Sequence, residues 1–272
     1  MPRFTTSDDL SLHYSSEGDG TPIVCLAGLT RSGRDFDDVA PHLAECRLIR
    51  LDYRGRGRSD WAESESYTIP VEARDVVELL DHLGLPRAAI LGTSRGGLVA
   101  MQLAATAKDR LTGVALNDVG PEIAPEGLQA IEAYIGRNPP FSTLDGAARA
   151  MADRLPGFDG VPLKRWRDAA ERQFRETPEG LVINYDPGLR KAFLDAGAQP
   201  AADMWPLFDA FDGLPLALIR GENSNIISPE TAAQMRHRRP DMDYAEVPNR
   251  GHVPFLDEPQ ALAALRSWVA RL

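Results

Sequence analysis

Cysteine is scarce: the 272 residues contain two, Cys25 and Cys46. Both lie in or beside apolar stretches without C-x-x-C spacing, so they read as buried free thiols and not as a disulfide or a metal pair. Long hydrophobic runs are missing too. Nothing approaches the roughly 18 apolar residues of a membrane span, and the opening MPRFTTSDDLSLHYSSEG lacks the apolar centre of a secretory signal. The expectation is a cytoplasmic protein without a membrane partner. Positive charge is in deficit, with 30 Lys+Arg against 40 Asp+Glu and a formal net charge of −10, which excludes nonspecific nucleic-acid binding. Neither H-E-x-x-H, a His/Cys cluster nor G-K-[ST] occurs, so neither metal nor cofactor is expected. There is no internal repeat and no low-complexity tract, and 43% hydrophobic against 26% charged residues is an ordinary globular balance that excludes disorder.

What is present is a rhythm. Short continuous apolar runs bounded by turn residues occur at Pro22–Ala27, Leu48–Leu51, Ala88–Leu91, Gly113–Leu116, Leu216–Ile219 and Tyr244–Val247, the pattern of strands buried on both faces. Leu10, Leu12 and Tyr14 alternate ahead of them. Between the runs lie helical patterns: Val76, Leu79, Leu80 and Leu83 follow i, i+3, i+4, i+7 spacing and stop at Gly84 and Pro86. Leu262, Leu265, Val269 and Leu272 repeat the pattern at the end. Strands alternating with helices predict an α/β fold, a mostly parallel central sheet covered by helices on both faces.

Pro121–Pro206 breaks this rhythm, holding ten of the 21 prolines. Its periodic pieces, Leu128–Ile135, Ala147–Leu155 and Leu163–Phe174, are helical, and no strand is expected there. We read residues 121–206 as an inserted helical lid (cap) over the carboxyl edge of a sheet formed by 1–120 and 207–272. An independent second domain is disfavoured because the strand pattern after the insertion needs the first half to complete its sheet.

Gly92-Thr-Ser-Arg-Gly96 matches G-x-S-x-G between the Ala88–Leu91 strand and the helix-like Leu98–Leu103. In that setting a tight turn lifts Ser94 to the strand's carboxyl end, and the flanking glycines relieve the crowding. A serine needs a base to become nucleophilic. Of the two histidines beyond Ser94, His237 sits in the basic Arg236–Arg239 segment and reads as a solvated helix end, whereas His252 follows the last strand in a loop that can reach Ser94. Arg54, Arg56 and Arg58 alternate with Gly55 and Gly57, but the third glycine of a phosphate-binding loop is missing and the segment reads as a scaffold turn. Arg31 and Arg34 are candidates to orient a substrate carboxylate, with Asp35, Asp37 and Asp38 as competing partners.

Over essentially its whole length the chain resembles the α/β-hydrolase superfamily. The matching pieces are Ala27-Gly-Leu-Thr30, Asp52-Tyr-Arg-Gly-Arg-Gly-Arg-Ser59, the elbow at Ser94, and Gly251-His-Val-Pro-Phe-Leu-Asp-Glu-Pro259. The resemblance implies a triad in the order serine, acid, histidine and an oxyanion hole of two backbone N–H groups, which by position are those of Leu29 and Arg95. The acid departs from the pattern. In the segment Arg220–Pro229, where the family usually places an aspartate, the matching residue is Asn225. An amide cannot stabilise an imidazolium as a carboxylate does. Three possibilities stay open: Asp118, after the preceding strand, is the acid; Asn225 is an inactivating replacement; or Glu222 reaches round.

The leading expectation is a cofactor-independent serine esterase or lactonase acting on a small or medium carboxylic ester or lactone, with Tyr134, Trp166 and Trp205 either lining an apolar pocket under the lid or packed in a core. The rivals are hydrolytic C–C cleavage of a diketone and, prompted by Asn225, a noncatalytic ligand-binding protein on the hydrolase scaffold. Oligomeric state is left open.

Overall fold

The six apolar runs become strands because each can bury alternate side chains on opposite faces of one sheet. In the computed structural model, which describes residues 2–272, they are β3 (Thr21–Leu26), β4 (Cys46–Leu51), β5 (Ala88–Thr93), β6 (Leu111–Asn117), β9 (Leu216–Gly221) and β10 (Asp243–Val247). Two strands precede them, β1 (Arg3–Thr5) and β2 (Ser11–Glu17). The eight-stranded sheet has the order β1-β2-β4-β3-β5-β6-β9-β10. From β4 to β10 every pairing is parallel, while β1 and β2 add an antiparallel edge.

Alternation sorts the core into two layers. Val24, Leu26, Ile90, Val114, Leu116 and Leu218 face α1 (Ile69–His82) and α2 (Arg95–Thr106), meeting Val76, Leu79, Leu80, Val99 and Leu103. Ile23, Cys25, Leu91, Ala115, Ala217 and Ile219 face α9 (Pro259–Val269), whose Leu262, Leu265 and Trp268 close the other side. Both cysteines are free and buried, and burial pushes the Cys25 thiol up to about 12. Truncating a large aliphatic side chain in either layer is worth roughly 2–5 kcal/mol. Helix α1 begins at the N-cap Thr68, whose side chain accepts from Val71 N at 3.4 Å, and gives way to Gly84 at φ +63°.

The proline-rich insertion carries α3 (Pro125–Tyr134), α4 (Leu144–Arg154), α5 (Leu163–Gln173) and α6 (Leu189–Gly197). It also contains strands, contrary to expectation. β7 (Phe174–Thr177) and β8 (Gly180–Ile183) form an antiparallel hairpin, so the helix expected to include Phe174 ends one residue earlier. Four-residue strands joined by a two-residue turn carry too little period-two pattern to stand out. Leu181 is held in a small core with Leu144, Ala147 and Ala170. Ion pairs tie this proline-rich segment to the loop after β3: Asp38 meets Arg165 at 3.0 Å and Arg172 at 2.6 Å. Burial opposes the Asp38 charge, but the two guanidiniums prevail and hold its carboxyl below the ordinary carboxylate value. Tyr67 Oη donates to Asp186 at 2.5 Å, and Asp186 N donates to Gly55 O at 2.8 Å.

The chain then returns through α7 (Trp205–Asp209), and α8 (Pro229–Arg238) lies between β9 and β10. Helix α7 packs on the layer that holds α2, with Trp205, Phe208 and Phe211 in the same apolar cluster as Val99 and Leu103. Among the described residues no helix is long and apolar enough to cross a membrane.

Candidate active site

Ser94 joins β5 to α2 at φ +51°, ψ −114°, a backbone region that a side chain ordinarily avoids and that the surroundings must enforce. Glycine is required on both sides. A Cβ on Gly92 would stand 2.6 Å from the Gly96 carbonyl, and one on Gly96 would stand 2.0 Å from Leu26 O. Ser94 N donates to Asn117 O at 2.9 Å, which fixes the elbow against the end of β6. Arg95 is the first residue of α2, so its N–H has no intrahelical acceptor.

His252 approaches from the loop after β10. Its Nε2 lies 3.0 Å from Ser94 Oγ and its Nδ1 lies 2.7 Å from Asp118 Oδ2. With the Nδ1 proton directed at the carboxylate, Nε2 presents its lone pair to the serine hydroxyl. Asn117 Nδ2 donates to Pro254 O at 3.1 Å and ties this loop to the same strand end.

Asp118 follows β6 at φ +58° and is fully buried. Three donors converge on its carboxylate: Gly221 N reaches Oδ1 at 2.8 Å, while Ser224 Oγ and His252 Nδ1 reach Oδ2, each at 2.7 Å. The structure does not bring the other two acid candidates to the histidine. Asn225 is exposed to solvent. Glu222 is also exposed and accepts from Asn249 N at 2.9 Å. The segment that usually carries the acid supplies Ser224 and Gly221 N instead.

The Ala27–Thr30 turn runs beside the nucleophile: a Cβ on Gly28 would lie 3.8 Å from Ser94 Cβ. Gly28 O accepts from Arg31 N at 3.1 Å and Leu29 O from Arg56 Nε at 2.8 Å, so the backbone on both sides of Leu29 is held. Arg31 itself makes a bidentate pair with Asp35, at 2.6 and 2.8 Å, so it takes the ion-pair alternative in place of the expected role on a substrate carboxylate. Arg34 lies 3.6 Å from Asp37.

Of the three aromatics expected in a pocket, one lies near the turn that flanks Ser94. Tyr134 is 48% exposed, yet its hydroxyl end is deep: burial raises its pKa, opposed by the Thr30 side chain and the Arg31 charge. Its hydroxyl thus stands beside Thr30, in the turn that flanks Ser94. Trp166 and Trp205 are corrections, because both are core residues. Trp166 is packed edge-on against Phe158 and Phe255 at 5.2 and 5.9 Å. Trp205 packs edge-on against Phe208 at 5.8 Å and donates Nε1 to Glu122 at 2.7 Å. His237 is exposed at the end of α8.

Arg54 and Arg56 are buried on carboxylates and hold the turn after β4. Arg54 pairs with Asp75 at 2.7 Å and Arg56 with Glu72 at 2.8 Å. Among the described residues no group of three or more His, Cys, Asp and Glu side chains is arranged to hold a metal ion. Sequence reasoning passed over Ser224, Asn117 and Glu72. Glu72 left a readable signal: it lies four residues before Val76, on the apolar face of α1.

A model of the alpha/beta hydrolase family matches residues 23–265. The chain is 36% identical over 251 residues to a 3-hydroxybutyrate-oligomer hydrolase of Cupriavidus necator, covering 89% of this chain and 85% of that protein. It is 34% identical over 272 residues to haloalkane dehalogenase 2 of Mycobacterium bovis, covering 93% and 89%. A crystal structure of an alpha/beta hydrolase from Novosphingobium aromaticivorans superposes with a TM-score of 0.93 at 40% identity, covering 100% of this chain and 98% of that one. The chain belongs to the alpha/beta hydrolase family.

Proposed function

We propose that this hydrolase uses Ser94 as the nucleophile to cleave a small or medium carboxylic ester or lactone through an acyl-enzyme. One observation carries the reading: the continuous hydrogen-bonded line from Ser94 Oγ through His252 to the buried Asp118. Ser94 Oγ attacks the ester carbonyl as His252 Nε2 takes its proton. The negative oxygen that develops is received by the N–H groups of Leu29 and Arg95. The imidazolium, facing Asp118, passes the proton to the departing alcohol. Water, activated by the same histidine, then attacks the acyl-enzyme and releases the acid and the free serine.

The substrate class is narrowed by the similarity to an oligomer hydrolase: an ester of a short hydroxy acid is the first to try, with the Tyr134 ring against its apolar part. Such an ester gives an alcohol plus an acid, whereas diketone cleavage would give a ketone plus an acid. Product analysis with a 3-hydroxybutyrate dimer, together with labelling by a fluorophosphonate, tests both points. Label on Ser94 and two hydroxy acid molecules per dimer are expected. Ser94→Ala should lose the label and roughly 10⁶-fold in kcat. Substantial hydrolysis by the purified variant would reject the assignment, and a probe that leaves the wild-type protein unlabelled would favour a binding role.

A further inference from the structure

Two buried charges and a partly exposed one lie behind the turn and the elbow. Glu72 on α1 is fully buried, and its two oxygens serve different arginines: Oε1 lies 2.8 Å from Arg56 Nη1 and Oε2 accepts from Arg95 Nε at 2.6 Å. Each arginine has a second hold on the site. Arg56, also fully buried, donates Nε to Leu29 O at 2.8 Å and Nη1 to Arg54 O at 2.7 Å, with its guanidinium 5.6 and 5.4 Å from the Tyr53 and Tyr67 rings. Arg95 donates Nη2 to Tyr67 O at 2.9 Å, and its own backbone follows Ser94 directly. Burial would raise the Glu72 carboxyl, but the two guanidiniums outweigh it and keep it below the ordinary carboxylate value.

Stability alone is a poor reason for such an arrangement. Exchanging a buried ion-pair triad for packed apolar residues is often neutral or stabilising. Here the triad is not even saturated, since Arg56 Nη2 and Glu72 Oε1 are buried without a hydrogen-bond partner, so the Arg56–Glu72 arm is an ion pair and not a hydrogen bond. What it does achieve is geometric. One carboxylate connects the residue that pins Leu29 with the residue that follows the nucleophile, and these are the two backbone positions whose N–H groups must converge on one oxygen atom.

We propose that Glu72 is a positioning residue for the oxyanion hole: through Arg56 and Arg95 it sets the spacing of the Leu29 and Arg95 N–H donors. The inference rests on the reading of those two amides as oxyanion donors. Preorganised donors act where charge develops in the transition state, so a small misplacement costs turnover and leaves ground-state binding alone.

The test compares wild type, Glu72→Gln and Arg95→Met for steady-state hydrolysis of a p-nitrophenyl ester and for inhibition by a trifluoromethyl ketone, whose serine adduct places an anionic oxygen in the hole. The expected result is a kcat about 10- to 100-fold lower, short of the ~10²–10³-fold loss on deleting a donor outright. KM should stay within about threefold, and ketone affinity should fall in step with kcat. Arg95→Met removes one arm at a partly exposed position, leaves the Arg56–Glu72 pair intact and keeps the backbone N–H, so it tests the idea even where Glu72→Gln fails to fold. A loss confined to melting temperature, a loss carried by KM, or unchanged ketone affinity in folded variants overturns the proposal. A wild-type enzyme that the ketone fails to inhibit rejects the oxyanion reading itself, a result distinct from failure of the Glu72 bridge alone.

Discussion

The turns that follow β6 and β9 leave neighbouring parallel strands at the same edge of the sheet, and they have taken opposite parts. After β6, Asp118 is fully buried in a positive-φ conformation, with three hydrogen-bond donors around its carboxylate. After β9, Asn225 is open to solvent, and the same turn offers Ser224 Oγ and Gly221 N to the neighbouring aspartate. The difference teaches that the orienting group is specified by where its carboxylate arrives and by what holds it there. In this chain the β9 end carries no carboxylate to His252 and instead donates two hydrogen bonds to the carboxylate after β6.

The comparison breaks most visibly at Asp118. Asp118→Asn keeps the shape but removes the charge that faces His252, and on the proposed mechanism kcat should fall by about 10⁴-fold, the size of the loss for an Asp-to-Asn change in the chymotrypsin-type triad. Steady-state kinetics on any ester the enzyme turns over will show it, and a loss under tenfold would place the acid elsewhere. Adding Asn225→Asp to that variant asks whether the β9 turn can resume the role. Because Asn225 points to solvent, activity should stay within about threefold of the Asp118→Asn level, and recovery to near wild type would show that the turn can swing inward.

Ser224→Ala should act more gently. It removes one of three donors to a buried carboxylate, and a hydrogen bond to a charged group is worth about 1.5–3 kcal/mol. The expected kcat loss is about tenfold at near-constant KM, with Ser224→Thr retaining the hydroxyl and most of the rate. Equal losses in both variants would mean that the hydroxyl is irrelevant. Asn225→Ala is the smallest effect: kcat within about twofold and stability within ~0.5 kcal/mol, as for an ordinary surface position, measured by thermal melting. A large kcat loss there would restore Asn225 to the site.

The sheet could be read from the sequence almost strand by strand, because strands buried on both faces leave uninterrupted apolar runs such as Ala88–Leu91. Ser94 and His252 could be read because their geometry demands glycines on one side and a loop past the last strand on the other. Which acid faces His252 could not, since Asp118, Glu222 and Asn225 all lie in turns at one sheet edge, and turn conformation decides between them over a few ångströms. The β7–β8 hairpin was hidden by its shortness. Trp166 and Trp205 were misplaced because large aromatics serve a core and a pocket equally well, and composition carries no sign of which. Glu72 was hidden differently: a carboxylate on an apolar helix face announces a buried partner without naming it.

The hydrogen bonds of the site join residues far apart in the chain: 103 and 106 positions for the two donors from the β9 turn to Asp118, 134 for Asp118 to His252, and 158 for His252 to Ser94. Contacts of such separation must close large loops before they return any stabilisation, which slows their formation relative to local helices. A nascent chain that has emerged only as far as the turn after β6 holds the elbow serine and the aspartate, with neither the base nor the donors that keep the aspartate in place. Hydrolytic activity is therefore a property of the finished molecule, and in refolding it should return after the helical signal, which makes turnover a sensitive assay for completion of the native topology.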